Sequence, residues 1–254
     1  MKFYDLVVIG ATFAGIGAAS ANAGRTIILE SRQQIGYEFI NSYKYGTEWS
    51  KTPETELGLK FKDDLCNRGV LSADGFVHMP ALAPIICDYV NKHKLDLLLM
   101  TDIINIENTE DLYYITIHNV SGFEVIKAAK VLDTRFNNVK ITNKYINAML
   151  TNYENDEVLS NLTYACVEKG LFGEYVLKYE IDIEDNWIIA REKLHRFWNN
   201  RPGNLNKWVI SSVADCFEIK SDIIKGITND KVSYICSAAF NNAIQAFEAG
   251  VLFW

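Results

Sequence analysis

The sequence contains no Cys-x-x-Cys pair and no Cys/His pair at zinc-ligand spacing. Its five cysteines, Cys66, Cys87, Cys166, Cys216 and Cys236, stand far apart. That excludes a redox-active dithiol, predicts no metal site and fits scattered thiols in a reducing compartment. A basic excess is also missing: 25 Lys and Arg face 32 Asp and Glu, for a net charge of -7, without a basic run. Neutralising nucleic-acid phosphates or anionic lipid takes a basic surface, so neither is an expected partner. No secretory leader or spanning helix is recognisable. The stretch Leu6 to Ala23 is apolar, but it is rich in small residues, breaks at Gly10 and follows Asp5. A spanning segment would use bulky apolar residues, and a signal peptide would carry a basic start. The chain is therefore read as cytoplasmic, and the sequons Asn119-Val120-Ser121 and Asn161-Leu162-Thr163 as chance occurrences. Internal repeats and low-complexity tracts are absent too.

What is present is an ordinary globular composition, 49% hydrophobic and 22% charged over 254 residues, enough to bury a large core in one or two domains. Asp5 to Ile9 (DLVVI) predicts a parallel strand buried on both faces. Gly10 stops it. Ala14 to Ala23 predicts a helix closed by Gly24, and Thr26 to Leu29 (TIIL) a second buried strand ending on Glu30. Residues 31–80 carry many glycines and little periodicity and predict loops with short elements. Pro84 to Lys94 predicts a helix, Leu95 to Met100 and Ile103 to Glu107 further elements. Asp111 to His118 and Phe123 to Ala128 predict a hairpin around Asn119–Gly122, followed by a short strand Lys130 to Leu132. From Arg135 to Asp230 the chain becomes richer in Trp, Tyr, Asn and charge, with strands expected around Leu162 to Glu168 and Tyr175 to Tyr179 and a helix from about Asp185 to Trp198. Its aromatic residues read as core. Val232 to Ile235 and Ala238 to Gly250 then return to the first style, a buried strand and an Ala-rich helix.

Gly10-Ala11-Thr12-Phe13-Ala14-Gly15 lies where a dinucleotide fold places G-x-G-x-x-G. The first glycine serves the tight turn, the last the packing of helix on strand, and the helix N-terminus offers unpaired N–H groups to a diphosphate. Glu30, twenty residues after Gly10, is placed to accept hydrogen bonds from the adenosine ribose. The middle glycine is replaced by Thr12. A β-branched residue resists positive φ, so either the turn is altered or the hydroxyl joins the phosphate shell.

The stretch DLVVIGATFAGIGAASANAGRTIILESRQQIG resembles the start of FAD-dependent oxidoreductases of the glutathione-reductase-like flavoprotein class. LDLLLMTDIINIE with the hairpin after it resembles the part that covers the adenine, with Ile103 at the position of main-chain contacts. AAKVLDTR resembles the strand ending near the cofactor at Asp133-Thr134-Arg135. SYICSAAFNNAIQAFEAGV resembles the last strand and helix, whose N-terminus, here at Ala238, approaches flavin and diphosphate. The resemblance covers residues 1–135 and 231–251. It implies an α/β protein with a Rossmann-like FAD-binding domain of parallel sheet and β-meander, discontinuous over 1–135 and 231–254, and a smaller α+β substrate or interaction domain over 136–230. It implies FAD as cofactor, hydride exchange with a small-molecule substrate, and either an electron-transfer protein or a second copy of the chain as partner. The cofactor-binding set is Gly10, Ala11, Thr12, Phe13, Ala14, Gly15, Glu30, Ser31, Arg32, Ile103, Asp133, Thr134 and Ala238.

The turn at Asp133–Arg135 has no glycine, and Ile235-Cys236-Ser237 replaces the Gly-Asp pair that ordinarily precedes the last helix. A second glycine-rich βαβ unit is also missing, so no NAD(P)H domain is expected. Two other readings stay open: a degenerate, non-catalytic dinucleotide-fold binding protein, and an NAD-dependent dehydrogenase. No catalytic acid or base can be named. His78 reads as a loop histidine rather than a flavin-proximal base, and His195 as part of a solvated helix face beside Arg191 and Arg196. Cys236, at the start of the expected last helix, reads as a packed small residue, with a dipole-stabilised thiolate as the alternative. Arg32 and Arg135 are candidates either for phosphate binding or for surface pairing.

Overall fold

The computed structural model describes residues 2–109, 112–136, 139–152, 161–162, 165–228 and 231–254. The expected hairpin start at Asp111, Thr163 of the second sequon and the boundary at Asp230 lie outside the described residues.

The chain opens with β1 (Phe3–Ile9), α1 (Phe13–Ala21) and β2 (Thr26–Leu29), as the apolar runs and Gly10 predict. Next come α2 (Tyr37–Ile40), α3 (Glu56–Asn67), α4 (Leu82–Lys92) and β3 (Asp96–Leu98). Helix α3 is a correction to the expected loop. Thr55 caps it by accepting from the Gly58 amide, and Phe61 and Leu65 bury its inner face, an N-cap signal followed by an i, i+4 pair. Strands β4 (Asp102–Thr109), β5 (Leu112–Asn119) and β6 (Gly122–Asp133) form the meander.

Strand β6 does two jobs. Its first half pairs antiparallel with β5, and its second half pairs parallel with β1, so that Ile9 lies beside Asp133. The two short strands expected at 123–128 and 130–132 are thus one. β1 continues to β2 and β2 to β3, all parallel. β14 (Ser233–Ile235) adds parallel to the other side of β6, and β13 (Lys225–Ile227), from the segment assigned by sequence to the middle region, pairs antiparallel with β14.

This sheet is buried on both faces. Leu6, Val8, Ile28 and Leu132 point into the core formed with α1, α3, α4 and α6 (Ala243–Val251), whereas Val7, Ile9, Ile27 and Leu29 pack against Ile115, Ile117 and Ile126 of the meander. Helices α1 and α6 touch at backbone distance, because a Cβ on Gly17 would strike the Phe247 carbonyl and one on Gly250 the Ala14 carbonyl.

A second sheet, antiparallel throughout, is built from β7 (Asn143–Asn152), β8 (Asn161–Leu162), β9 (Ala165–Lys169), β10 (Tyr175–Ile181), β11 (Trp208–Val213) and β12 (Glu218–Lys220). Ile146, Ala148, Leu150 and Leu177 face α5 (Trp187–Asn199) in a core that includes buried Trp208. The alternate residues Asn147, Met149, Val176 and Lys178 face the first sheet's helices, where Asn147 Nδ2 donates to the Ser42 carbonyl at 2.8 Å. Here a buried ion pair joins Lys178 to Glu218, which also accepts from Asn147. Among the described residues no helix is long and apolar enough to cross a membrane.

Candidate nucleotide site

The crossing of β1, β2 and β6 brings the Gly10 turn, Glu30 and Thr134 together at the carboxyl ends of parallel strands, where open α/β sheets bind ligands. Gly10 has φ +101°, a conformation glycine adopts without cost. A Cβ on Gly10 would press on Thr134 Oγ1, and one on Gly15 on the Gly10 carbonyl. Thr12 needs no positive φ. It is extended (φ -83°, ψ 169°) and caps α1, accepting from the Gly15 amide at 3.0 Å. Its hydroxyl donates to Thr134 Oγ1 at 2.7 Å, and Thr134 donates to the carbonyls of Ile9 or Gly10. Thr12 therefore alters the turn and serves as a helix cap.

Glu30 is buried at the end of β2. Its Oε2 accepts from the Ala11 amide at 2.9 Å and its Oε1 from the Arg32 amide at 2.9 Å. The Ser31 hydroxyl reaches Oε1 at 3.4 Å, while the Arg32 guanidinium lies 4.4 Å over the Tyr37 ring. Ala11, Thr12, Glu30, Ser31, Arg32, Thr134 and Ala238, all expected from sequence, line one pocket of about 130 Å³. Gly10, Phe13, Ala14 and Gly15, also expected from sequence, do not line it; Phe13 and Ala14 are buried in the core on the helix side. Asp133 is buried and engaged by the amide, Nε and Nη2 of Arg135 at 2.8–3.0 Å. Arg135 lines the pocket with its charge paired. Ile103 does not line it; its half-buried side chain packs into the meander core.

The pocket also holds residues that sequence reasoning missed: Tyr37, Glu38, Phe136, Cys216 and Phe217. Glu38 is the consequential one. Gly36, left-handed at φ +67°, starts α2 and donates its amide to the Ala11 carbonyl at 2.8 Å. Phe39 sets its ring edge-on to Phe13 at 5.7 Å. These contacts turn Glu38 inward onto the N-terminus of α1. Its Oε1 accepts from the Phe13 amide at 2.8 Å and from Ser237 Oγ at 2.7 Å, and Ser237 accepts from the Ala14 amide at 3.2 Å. The free amides of α1's first turn are thus taken by Glu38, Ser237 and Thr12. Glu38 Oε2 is buried without a partner among the described residues. Burial pushes the Glu38 carboxyl up to about 7, opposed by Ser237 and the Phe13 amide.

The other candidates resolve as structural groups. Cys236 is fully buried, and burial pushes its thiol up to about 11, so it is not a stabilised thiolate. The last helix begins at Asn242, which caps it, and not at Ala238: Phe240 is extended after a single 3₁₀ turn over Ser237–Ala239. Its N-terminus meets Thr47 and Glu48, away from the pocket. His78 bonds Glu174 at 2.7 Å behind Phe172, outside the pocket. His195 is exposed on α5, where Arg196 pairs with Glu192. Cys216, in the pocket wall, is pushed up to about 12 by burial. Among the described residues no cluster of His, Cys, Asp or Glu could hold a metal ion.

No protein-family model matches the chain, and no curated protein matches its sequence. Solved structures do. The chain is similar to p-nitrophenol 4-monooxygenase of Pseudomonas putida at 15% identity and a TM-score of 0.65, over 99% of this chain and 77% of that one. It is similar to a flavoprotein/dehydrogenase of Cytophaga hutchinsonii at 13% identity and a TM-score of 0.62, over 98% and 76%. L-α-glycerophosphate oxidase of Mycoplasma pneumoniae, solved with FAD bound, gives 12% identity and a TM-score of 0.64, over 99% and 94%. At these identities the likeness fixes the fold: mixed α/β, with a Rossmann-like FAD-binding architecture and two sheets. It supports that broad fold and not the glutathione-reductase-like class in particular.

Proposed function

We propose that the chain is a FAD-dependent oxidoreductase whose cofactor rests its ADP half on the Gly10–Gly15 turn. One observation carries this reading: the buried Glu30 carboxylate and the Gly10 turn share a pocket at the carboxyl ends of β1 and β2. In that place an acid accepts ribose hydroxyls. The fold agrees, since the similar solved structures include one described with FAD bound.

The fit is good at the adenosine end and incomplete at the diphosphate. Glu30, Ser31 and Arg32 would hold the ribose and orient the adenine. The Phe13 and Ala14 amides, which would receive the diphosphate, are held by Glu38 and Ser237. A pocket of about 130 Å³ is below the roughly 300–1,000 Å³ of ordinary ligand sites, so this conformation admits a fragment of a dinucleotide. FAD, when bound, supplies two-electron chemistry. Beyond Tyr37 lies a second pocket of about 390 Å³ between the segment around α2 and strands β7 and β11 of the second sheet, lined by Asn41, Tyr43, Met149, Ser212 and Asp215. It is our candidate for the small-molecule substrate. Asn41 Nδ2 and the Tyr37 hydroxyl bond Asp215 and form the wall between the pockets. Tyr37 and Cys216, both pushed up by burial, stay protonated near neutrality. They can therefore donate hydrogen bonds, but they are not bases.

Purification followed by a visible absorption spectrum, before and after incubation with FAD, tests the reading. Bound flavin bands are expected. A second reading, a non-catalytic binding protein on this fold, is favoured by the occupied amides of α1 and the Asp133–Arg135 pairing. It expects no melting shift with FAD, and a shift of several degrees would exclude it. Stabilisation by NAD but not by FAD would replace both with a nicotinamide reading.

A further inference from the structure

We propose that Glu38 controls occupancy of the nucleotide site: its carboxylate is an internal occupant of the diphosphate seat, and a dinucleotide diphosphate binds only in exchange for its charge. This inference rests on the reading of the site as a dinucleotide site and says how that site is controlled.

Three observations meet at one place. The N-terminus of α1, a nine-residue helix, lies beside the pocket, whose lining includes its cap Thr12 and the Glu38 that holds its Phe13 amide; free helix N-terminal amides are groups that bind anionic phosphates. Glu38 Oε1 sits on the Phe13 amide and, through Ser237, on the Ala14 amide. The other oxygen, Oε2, is buried and has no partner among the described residues, although the carboxyl group has been taken out of water. A carboxylate wholly engaged as a structural cap would use both oxygens. One left unpaired beside a ligand pocket marks a group waiting for a proton or for a donor that a ligand brings.

The charges around Glu38 set the terms of exchange. Glu30 at the end of β2 faces it with like charge, and Cys216 and Cys236 lie close enough to feel it. Asp215 stands behind Tyr37. Of the cations, Arg135 is committed to Asp133, Arg32 lies over Tyr37 beside Glu30, and Lys44 donates to the Ala238 carbonyl. None of them pairs with Glu38. A diphosphate adds two negative charges to this set. Bringing them beside an ionised carboxylate in a poorly solvated pocket is strongly unfavourable. Protonation at Oε2 removes the repulsion and weakens Oε1 as an acceptor, so that the Phe13 amide can pass to the diphosphate while the new O–H donates to a phosphate oxygen. With the carboxyl near 7, the neutral fraction falls about tenfold between pH 6 and pH 8. Apparent affinity follows the population of the competent form.

The test is binding of FAD and of ADP-ribose to the full chain at pH 6 and pH 8, by calorimetry. Both probes carry a diphosphate diester whose charge is constant over this range, and only one carries flavin. The expected result is about tenfold weaker binding at pH 8 for the wild-type chain, with Glu38→Gln flat at the pH 6 level. Glu38→Thr, which empties the seat, should bind both probes at least as tightly as wild type does at pH 6, with no pH dependence. Glu38→Gln keeps the side-chain shape and guards against a folding failure of the threonine variant. Equal wild-type affinity at both pH values, matched by both variants, overturns the inference and leaves the flavoprotein reading standing. The expected pattern with ADP-ribose, and FAD bound no better than ADP-ribose, supports the exchange and removes the flavoprotein reading. If no form binds either probe, both are wrong.

Discussion

Replacing Glu38 by Gln should change how stability depends on pH. In the folded chain burial holds the carboxyl near 7, against about 4.5 for a carboxyl free in water. Between these values the native state keeps a proton that the unfolded chain has released. Stability therefore falls as pH rises through this window, and the loss is complete above about 7. A shift of this size corresponds to about 3 kcal/mol, since each pKa unit is worth about 1.4 kcal/mol. Gln cannot titrate, so its own contribution is flat. It retains an oxygen for the Phe13 amide and Ser237 but puts an NH₂ where Oε2 has no partner, which costs about 1–3 kcal/mol. The variant should thus be less stable than wild type at pH 4.5 and equal or more stable at pH 8, and the two stability curves should cross. The difference between them should change by about 3 kcal/mol across the window, or about 6–12 °C in melting temperature for a chain of this size. Urea unfolding at a series of pH values measures it, and titrations common to both proteins cancel in the difference. Parallel curves would show that Glu38 is ionised in the fold at no greater cost than in water, and the account of its buried carboxyl would fail.

Other substitutions test the frame that holds the site. Gly17→Ala places a Cβ against the Phe247 carbonyl and should cost about 1–3 kcal/mol by forcing α1 and α6 apart; unchanged urea midpoints would refute that contact. Glu218→Ala leaves buried Lys178 with only the longer 3.8 Å contact to Glu168 and should destabilise by up to about 3–5 kcal/mol, whereas the double change Glu218→Leu with Lys178→Met should recover most of it. Thr12→Ala removes the α1 cap and the bond to Thr134 and should cost about 1 kcal/mol, read by thermal melting; a loss near zero would mean the Gly15 amide finds another acceptor.

The parts of the fold that were legible in sequence are those whose residues report a local environment. DLVVI and TIIL are buried on both faces and read as strands without ambiguity. Glu30 could be placed because strand, turn, helix and strand follow within thirty residues. Thr12 announced an altered turn, although not that it would cap the helix. Glu38 gave no local signal. It is an acid in a glycine-bounded loop, and its burial comes from the Gly36 turn and the Phe13–Phe39 contact, which pack it against a helix 25 residues earlier. The start of the last helix was misjudged because Ala238 and Ala239 have high helix propensity. The extended Phe240 and the Asn242 cap decide it instead, and Asn241-Asn242 was the available clue. β6 looked like two strands because it changes partner midway, so its burial pattern changes with it.

The Gly10–Gly15 turn and Glu30 are proposed as the seat of a flavin dinucleotide. The most direct measurement is equilibrium binding of FAD to the purified chain at pH 6, followed by its visible spectrum and fluorescence. The account predicts saturable binding with a perturbed flavin spectrum, abolished by Glu30→Arg and stronger than binding of NAD. A spectrum identical to free FAD, with no saturation in wild type or in Glu38→Thr, would contradict it.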